Sequence, residues 1–164
     1  MKRISDKIYN MLNEQLKNEH ESSLLYLAMS QWLSYNGWFG ASKLWDKYSK
    51  EELIHRDKFY EYIQDRGCMP KTMATKEQPI GFDGIEAIVE NSYKHEIQVT
   101  EWIKQIAKAA FDEGDLNTYE FAMKMISEQT EEEAKILYWV DRIKMIKSKD
   151  ASLYFLDKEF EDKI

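Results

Sequence analysis

Cysteine is almost absent from this sequence: Cys68 stands alone in 164 residues. A lone thiol closes no intrachain disulfide and builds no Cys-type zinc or iron–sulfur site. Proline and glycine are scarce, at two and six residues, which disfavours a turn-rich all-β fold. No uninterrupted apolar run approaches the roughly 20 residues that cross a bilayer. The opening residues MKRISDKIYNMLNEQLKNEH hold no apolar signal-peptide core. Positive charge is in deficit: 23 basic residues face 30 acidic ones, a formal charge of −7. That balance argues against nucleic acid or an anionic membrane as partner and suits a cation as ligand. A cytoplasmic protein is the expectation.

Hydrophobic residues make up 43% of the chain and charged residues 32%, the profile of a soluble globular protein. The length predicts a single domain over residues 1–164 with room for a core. Abundant Met, Leu, Glu and Lys favour helix. Four long helical patterns run from about Ser5 to Tyr35, Gly40 to Arg66, Asp83 to Phe111 and Asp115 to Lys147, a bundle over about 5–147. Ser5 suits an N-cap, Asn36-Gly37 a stop and Gly67 a C-terminal cap. After Ser148-Lys149-Asp150, a short amphipathic helix is predicted over about 152–161.

Loop lengths predict the topology. Short links join the first helix to the second and the third to the fourth, so each pair is an antiparallel hairpin. The middle link, Cys68 to Phe82, holds both prolines. Some fifteen extended residues reach about 50 Å, and a helix of about 28 residues is roughly 42 Å long. The link can therefore run the length of the bundle and leave helices two and three parallel. The predicted fold is all-α: a four-helix bundle with a long crossover and a short fifth helix.

Each helix carries an apolar seam. The seams are Ile8, Leu12, Glu19, Tyr26 and Leu33; Trp45, Tyr48, Glu52, His55, Phe59 and Tyr62; Ile85, Val89, Ser92, Glu96, Val99, Ile103 and Ile106; and, on the fourth helix, Met125, Glu132, Trp139 and Ile146 beside Ala122, Gln129, Ile136 and Ile143. Carboxylates interrupt every seam, each near the middle of its helix. Whichever way the helices point, their midpoints meet at one level, so Glu19, Glu52, His55, Glu96 and Glu132 are predicted to converge.

One mid-helix glutamate is ordinarily solvated, but four at one level are not explained that way. Each buried ion costs several kcal/mol, and like charges add to it. Either some of the carboxylates protonate or cations neutralise them. No Lys or Arg is expected at this level on the seam faces, which leaves one or two divalent metals as the natural solution. Glu52-Leu53-Ile54-His55 is a Glu-x-x-His step, whose i, i+3 spacing aims both side chains at one point. Hard oxygens plus one imidazole favour iron or manganese. Glu52 is best placed to bridge two ions.

The segments Asn13 to Glu19, Ser22 to Tyr26, Glu51-Glu-Leu-Ile-His55, Tyr93-Lys-His-Glu96, Ser127 to Glu133 and the tail Leu153 to Glu159 resemble those of the bacterial non-haem ferritins, in order and at matching separations over nearly the whole chain. The resemblance implies the ferritin-like bundle. It implies a first iron site of Glu19, Glu52 and His55, and a second of Glu52, Glu96 and Glu132 with Gln129 close by. A third would draw on Glu51, Glu128, Glu131 and Glu132. Tyr26 matches a tyrosine that donates an electron. The implied activity is oxidation of Fe(II) by dioxygen or hydrogen peroxide, with ferric mineral stored in a hollow homo-oligomer of 24 subunits. Gln129-Thr-Glu-Glu132 replaces the second Glu-x-x-His of other di-iron enzymes. Leu53 stands where the haem-binding relatives place methionine, so no haem is expected. Lys124 stands where some of these ferritins carry a tryptophan.

A metal-buffering bundle without useful catalysis is the alternative from another class. His20 and His95 are expected to be supporting or surface groups. Trp32, Trp38, Trp102 and Tyr138 are expected on exposed faces, as subunit contacts. Removal of residues 150–164 is expected to leave the bundle folded and to weaken the shell.

Overall fold

A computed structural model describes residues 2–147 and 153–164. It contains α1 (Asp6–Tyr35), α2 (Phe39–Asp65), α3 (Ile85–Asp112), α4 (Leu116–Lys147) and α5 (Leu153–Glu161), and no strand among the described residues. The predicted boundaries hold to within two residues, whereas the expected break at 148–150 and the start at Ser152 lie outside the described residues. Ser5 caps α1, its hydroxyl accepting the Ile8 N–H at 3.1 Å. Gly67, at φ 74°, closes α2, where the Cys68 N–H reaches back to the Ile63 carbonyl at 3.1 Å. Asp115 caps α4 by accepting the Thr118 N–H at 3.1 Å.

Cross-helix pairs fix the directions. Ser23 meets Ser49 and Ser30 meets Ser42, so α1 and α2 are antiparallel. Ser22 meets His95 and Ser92 meets Met29, so α1 and α3 are antiparallel as well. Helices α2 and α3 are therefore parallel, as the link length predicts. The link is tied down along the whole of α1. Tyr9 donates to the Met69 carbonyl at 2.7 Å, and the Lys71 N–H to Asn13 Oδ1 at 2.6 Å. The Lys76 N–H donates to Glu21 Oε1 at 3.1 Å, and Phe82 packs edge-on against Trp32.

The apolar seams form two blocks. One contains Leu12, Phe59, Val99, Ile103, Ile106 and Met125. The other contains Leu33, Trp45, Val89, Ile136, Trp139 and Phe160. Between them in each of the four long helices lie buried polar residues: Glu19, Glu52 and His55, Glu96, and Gln129. The bundle is thus an apolar–polar–apolar sandwich along its axis.

Helix α5 belongs to the second block, with Leu156 and Phe160 fully buried. Phe160 lies between Trp45 and Trp139, ring centroids 5.5 and 4.1 Å away. The Asp157 carboxylate accepts the Gly40 and Ala41 N–H groups at 3.0 and 2.9 Å, which places a negative charge at the N-terminus of α2. A Cβ on Gly40 would stand 1.9 Å from the Asp157 carbonyl oxygen, so only glycine allows this approach. The described part of the tail, residues 153–164, thus fills a gap between α2 and α4 and adds to the bundle's own core.

The expectation of four exposed aromatics is corrected for the three tryptophans. Trp32, Trp38 and Trp102 are half-buried and pack against the core blocks; only Tyr138 of the four is exposed. The strongly exposed aromatics are Tyr35, Phe39, Phe111 and Phe155. Wide rings at the edge of a seam are covered by their own bundle and its crossover link.

Candidate metal centre

Glu19, Glu52 and His55 are buried, and each offers one ligand atom within 4.8 Å of the others'. They are the one such triad among the described residues. The Glu-x-x-His step on α2 behaves as its spacing predicts: Glu52 Oε2 lies 3.5 Å from His55 Nδ1. Gln15, one turn before Glu19, donates to Glu19 Oε1 at 2.7 Å and holds that carboxylate in place. Glu19 Oε2, Glu52 Oε2 and His55 Nδ1 have no hydrogen-bond partner. Buried polar atoms are normally paired, so three orphans within one cluster need an explanation. A divalent cation bound by oxygen and imidazole fits that donor set.

Glu96 is buried too, but its oxygens are engaged. Tyr26 donates its hydroxyl to Oε1, and Gln129 donates to Oε2 at 2.9 Å. Burial raises the pKa of Glu19 and Glu52 well above 4.5, with Glu52 repelling Glu19 and Glu96 repelling Glu52. Burial also raises Glu96, against the hydrogen bonds from Tyr26 and Gln129. Tyr26 is pushed well up by burial and by Glu96 beside it, so its phenol keeps its proton. Metal-free, the centre therefore favours protonated carboxylates at its heart.

The outer part is different. Glu132 is only partly buried, and both its oxygens meet Lys135 Nζ, at 2.9 and 3.0 Å. The same ammonium lies 3.5 Å from Glu51 Oε2. Lys58 Nζ is 2.5 Å from Glu128 Oε2, which lies 3.7 Å from His55 Nε2. Burial lowers the pKa of Lys135, but Glu132 and Glu51 together outweigh it and the net shift is upward. The seam faces themselves carry no lysine at this level, as expected, but two lysines reach it from outside them. Lys58 and Lys135 lie off the seams, but their long stems carry the ammonium groups to the centre's rim. Glu131 is exposed, and no contact joins it to the cluster among the described residues.

Several supporting residues escape a seam-based reading. Gln15 sits four residues before Glu19, and Lys135 three after Glu132. Those spacings are the available signal, but they are common on any helix. His95 lies beside the centre, bonded to Ser22 Oγ at 2.8 Å and edge-on to Tyr26; burial takes its pKa down to about 4, so it is neutral. His20 is half-buried. Lys124 is exposed and pairs with Glu120 at 2.9 Å. No helix among the described residues is long and apolar enough to cross a membrane.

Comparison with known proteins agrees with this architecture. The ferritin-like domain profile matches residues 9–146. A bacterial non-heme ferritin of Escherichia coli O6:H1 is 33% identical over 157 residues, covering 95% of this chain and 94% of that protein. One from Bacteroides fragilis is 33% identical over 156 residues, covering 95% and 97%. The crystal structure of an open pore ferritin from the hyperthermophilic archaeon Archaeoglobus fulgidus superposes with a TM-score of 0.93 at 35% identity, covering 98% of each chain. Family and fold together support iron storage and ferroxidase chemistry in the broad sense. With the profile spanning most of its length and its bundle matched end to end, this chain belongs to the ferritin family.

Proposed function

We propose that this protein oxidises Fe(II) at a centre inside each bundle and stores the ferric product in a hollow homo-oligomer of 24 subunits in the cytoplasm. The observation that carries the reading is the buried triad with three unpartnered ligand atoms. As substrate, the first Fe(II) is held by Glu19, Glu52 and His55. The second is held by Glu52, Glu96 and Glu132, with Gln129 alongside. A third ion draws on Glu51, Glu128, Glu131 and Glu132.

The chain's own groups do three things. They neutralise the ions with carboxylates inside a bundle that excludes bulk water, which favours the higher charge of the ferric product. They hold two ions close through the shared Glu52, so that two electrons are available to dioxygen or hydrogen peroxide together. They place Tyr26, hydrogen-bonded to Glu96, as a nearby one-electron donor whose proton has an acceptor.

The test is timed oxidation of Fe(II) in air by protein of shell size on size-exclusion chromatography, hundreds of kilodaltons. Glu52→Ala and His55→Ala should slow oxidation by at least about tenfold, and Tyr26→Phe should keep binding while losing any tyrosyl radical signal. Variants as fast as the parent would refute the site. Tight binding with oxidation no faster than in buffer would favour the metal-buffering alternative.

A further inference from the structure

The two halves of the centre are neutralised in different ways. In the inner triad, three buried polar atoms, one from each residue, have no hydrogen-bond partner. In the outer half, a cation is already present. Lys135 Nζ sits 2.9 and 3.0 Å from the two oxygens of Glu132 on α4 and 3.5 Å from Glu51 on α2. An ammonium shared by carboxylates of two helices takes the position that a bridging metal ion would take.

We propose that Lys135 is a built-in cation of the outer half, and that an ion binds between Glu51 and Glu132 only by displacing its ammonium. This rests on the reading of the centre given above. It sets a filling order. The inner triad, with nothing to displace, fills first, and the Glu51/Glu132 position fills at higher metal concentration.

The surroundings suit such an exchange. Lys135 stands three residues after Glu132, on the same face of α4, so its stem arches over that carboxylate. Its side chain is 42% exposed. It lines a cavity of about 250 Å³ with Tyr48, Glu51 and Trp139. The displaced ammonium can therefore swing into water without any movement of the backbone, and a flexible four-carbon stem allows it. The exchange replaces one positive charge by two, so carboxylates that were already paired pass directly to a new partner. A partly exposed, two-carboxylate contact of this kind corresponds to about a tenfold handicap for the incoming ion.

Zinc(II), which has no redox chemistry, is the probe. It is titrated by calorimetry into the assembled full chain as wild type, Lys135→Met and Lys135→Arg, and crystals of each are soaked for anomalous diffraction. The expected result is a tight step at Glu19, Glu52 and His55 that is equal in all three. A weaker step at Glu51 and Glu132 tightens about tenfold in Lys135→Met and stays weak in Lys135→Arg, with the Lys135 side chain turned away wherever zinc is bound. A merely structural stem would move the Met and Arg variants alike. An outer step indifferent to Lys135→Met overturns the inference, as does zinc between Glu51 and Glu132 with Nζ still at bonding distance. Loss of the inner step in the wild type would overturn the underlying reading as well.

Discussion

Glu52 Oε2 and His55 Nδ1 face each other at 3.5 Å across one turn of α2, both buried and both without a hydrogen-bond partner. Packing alone does not produce this pairing, because a protein that needed only a core would place apolar side chains here. The relationship makes the centre a site of stored instability that a bound ion would relieve.

Removing that instability should stabilise the metal-free protein while destroying the site. Glu52→Gln or Glu19→Gln keeps the shape and removes a buried carboxylate. At pH 8 the metal-free melting temperature should rise by about 2–4 °C for each kcal/mol relieved, and zinc or ferrous binding should weaken by at least about tenfold. Calorimetric melting with and without metal checks both. A lower metal-free melting temperature in Glu52→Gln would mean the carboxylate is structurally satisfied without an ion.

The same groups give a signed pH dependence. Burial first, and mutual repulsion second, raise the pKa values of Glu19 and Glu52 above 4.5, and burial raises Glu96. The folded chain therefore holds more protons than the unfolded chain between about 4.5 and the raised values. Stability contributed by these protons is present at low pH and lost as pH rises through that window. Metal-free protein should melt lower at pH 8 than at pH 5.5, and a Glu19→Gln/Glu52→Gln variant should show a shallower slope. Metal should abolish most of the difference. A wild-type slope equal to that of the double variant would assign the pH dependence to surface charge instead.

The tail should matter to the subunit and not only to assembly. Phe160 is fully buried between two tryptophans, so Phe160→Ala should cost about 3–5 kcal/mol. Asp157→Asn should cost less, roughly 1 kcal/mol, through a weakened cap on α2. Gly40→Ala should dislodge α5, since the new methyl meets backbone and not a flexible side chain. Denaturant unfolding of each variant measures these differences. A chain truncated after residue 152 that unfolds at the parent's denaturant concentration would show that α5 adds nothing to the bundle.

Much of this molecule is written in local spacing. The seven-residue seams, the Ser5 cap, the Gly67 stop and the length of the 68–82 link are properties of neighbouring residues, so they are legible before folding. The same is true of the shared level of Glu19, Glu52, Glu96 and Glu132, because helix midpoints coincide in any bundle of equal rods. The resemblance to bacterial non-haem ferritins implies individual site roles that spacing alone does not.

Folding alone settles which of those acids stand open and which are engaged. Glu19 and Glu52 end in bare oxygens, Glu96 is held by Tyr26 and Gln129, and Glu132 is held by Lys135. These partners come from other helices or from long flexible stems, and their choice depends on rotamers set by packing across the bundle. The place of α5 has the same origin: Phe160 reads as one amphipathic residue in a short tail until Trp45 and Trp139, far away in sequence, form the slot that receives it. Periodicity specifies a face and a height, whereas the contact made there depends on what the other helices present at that height.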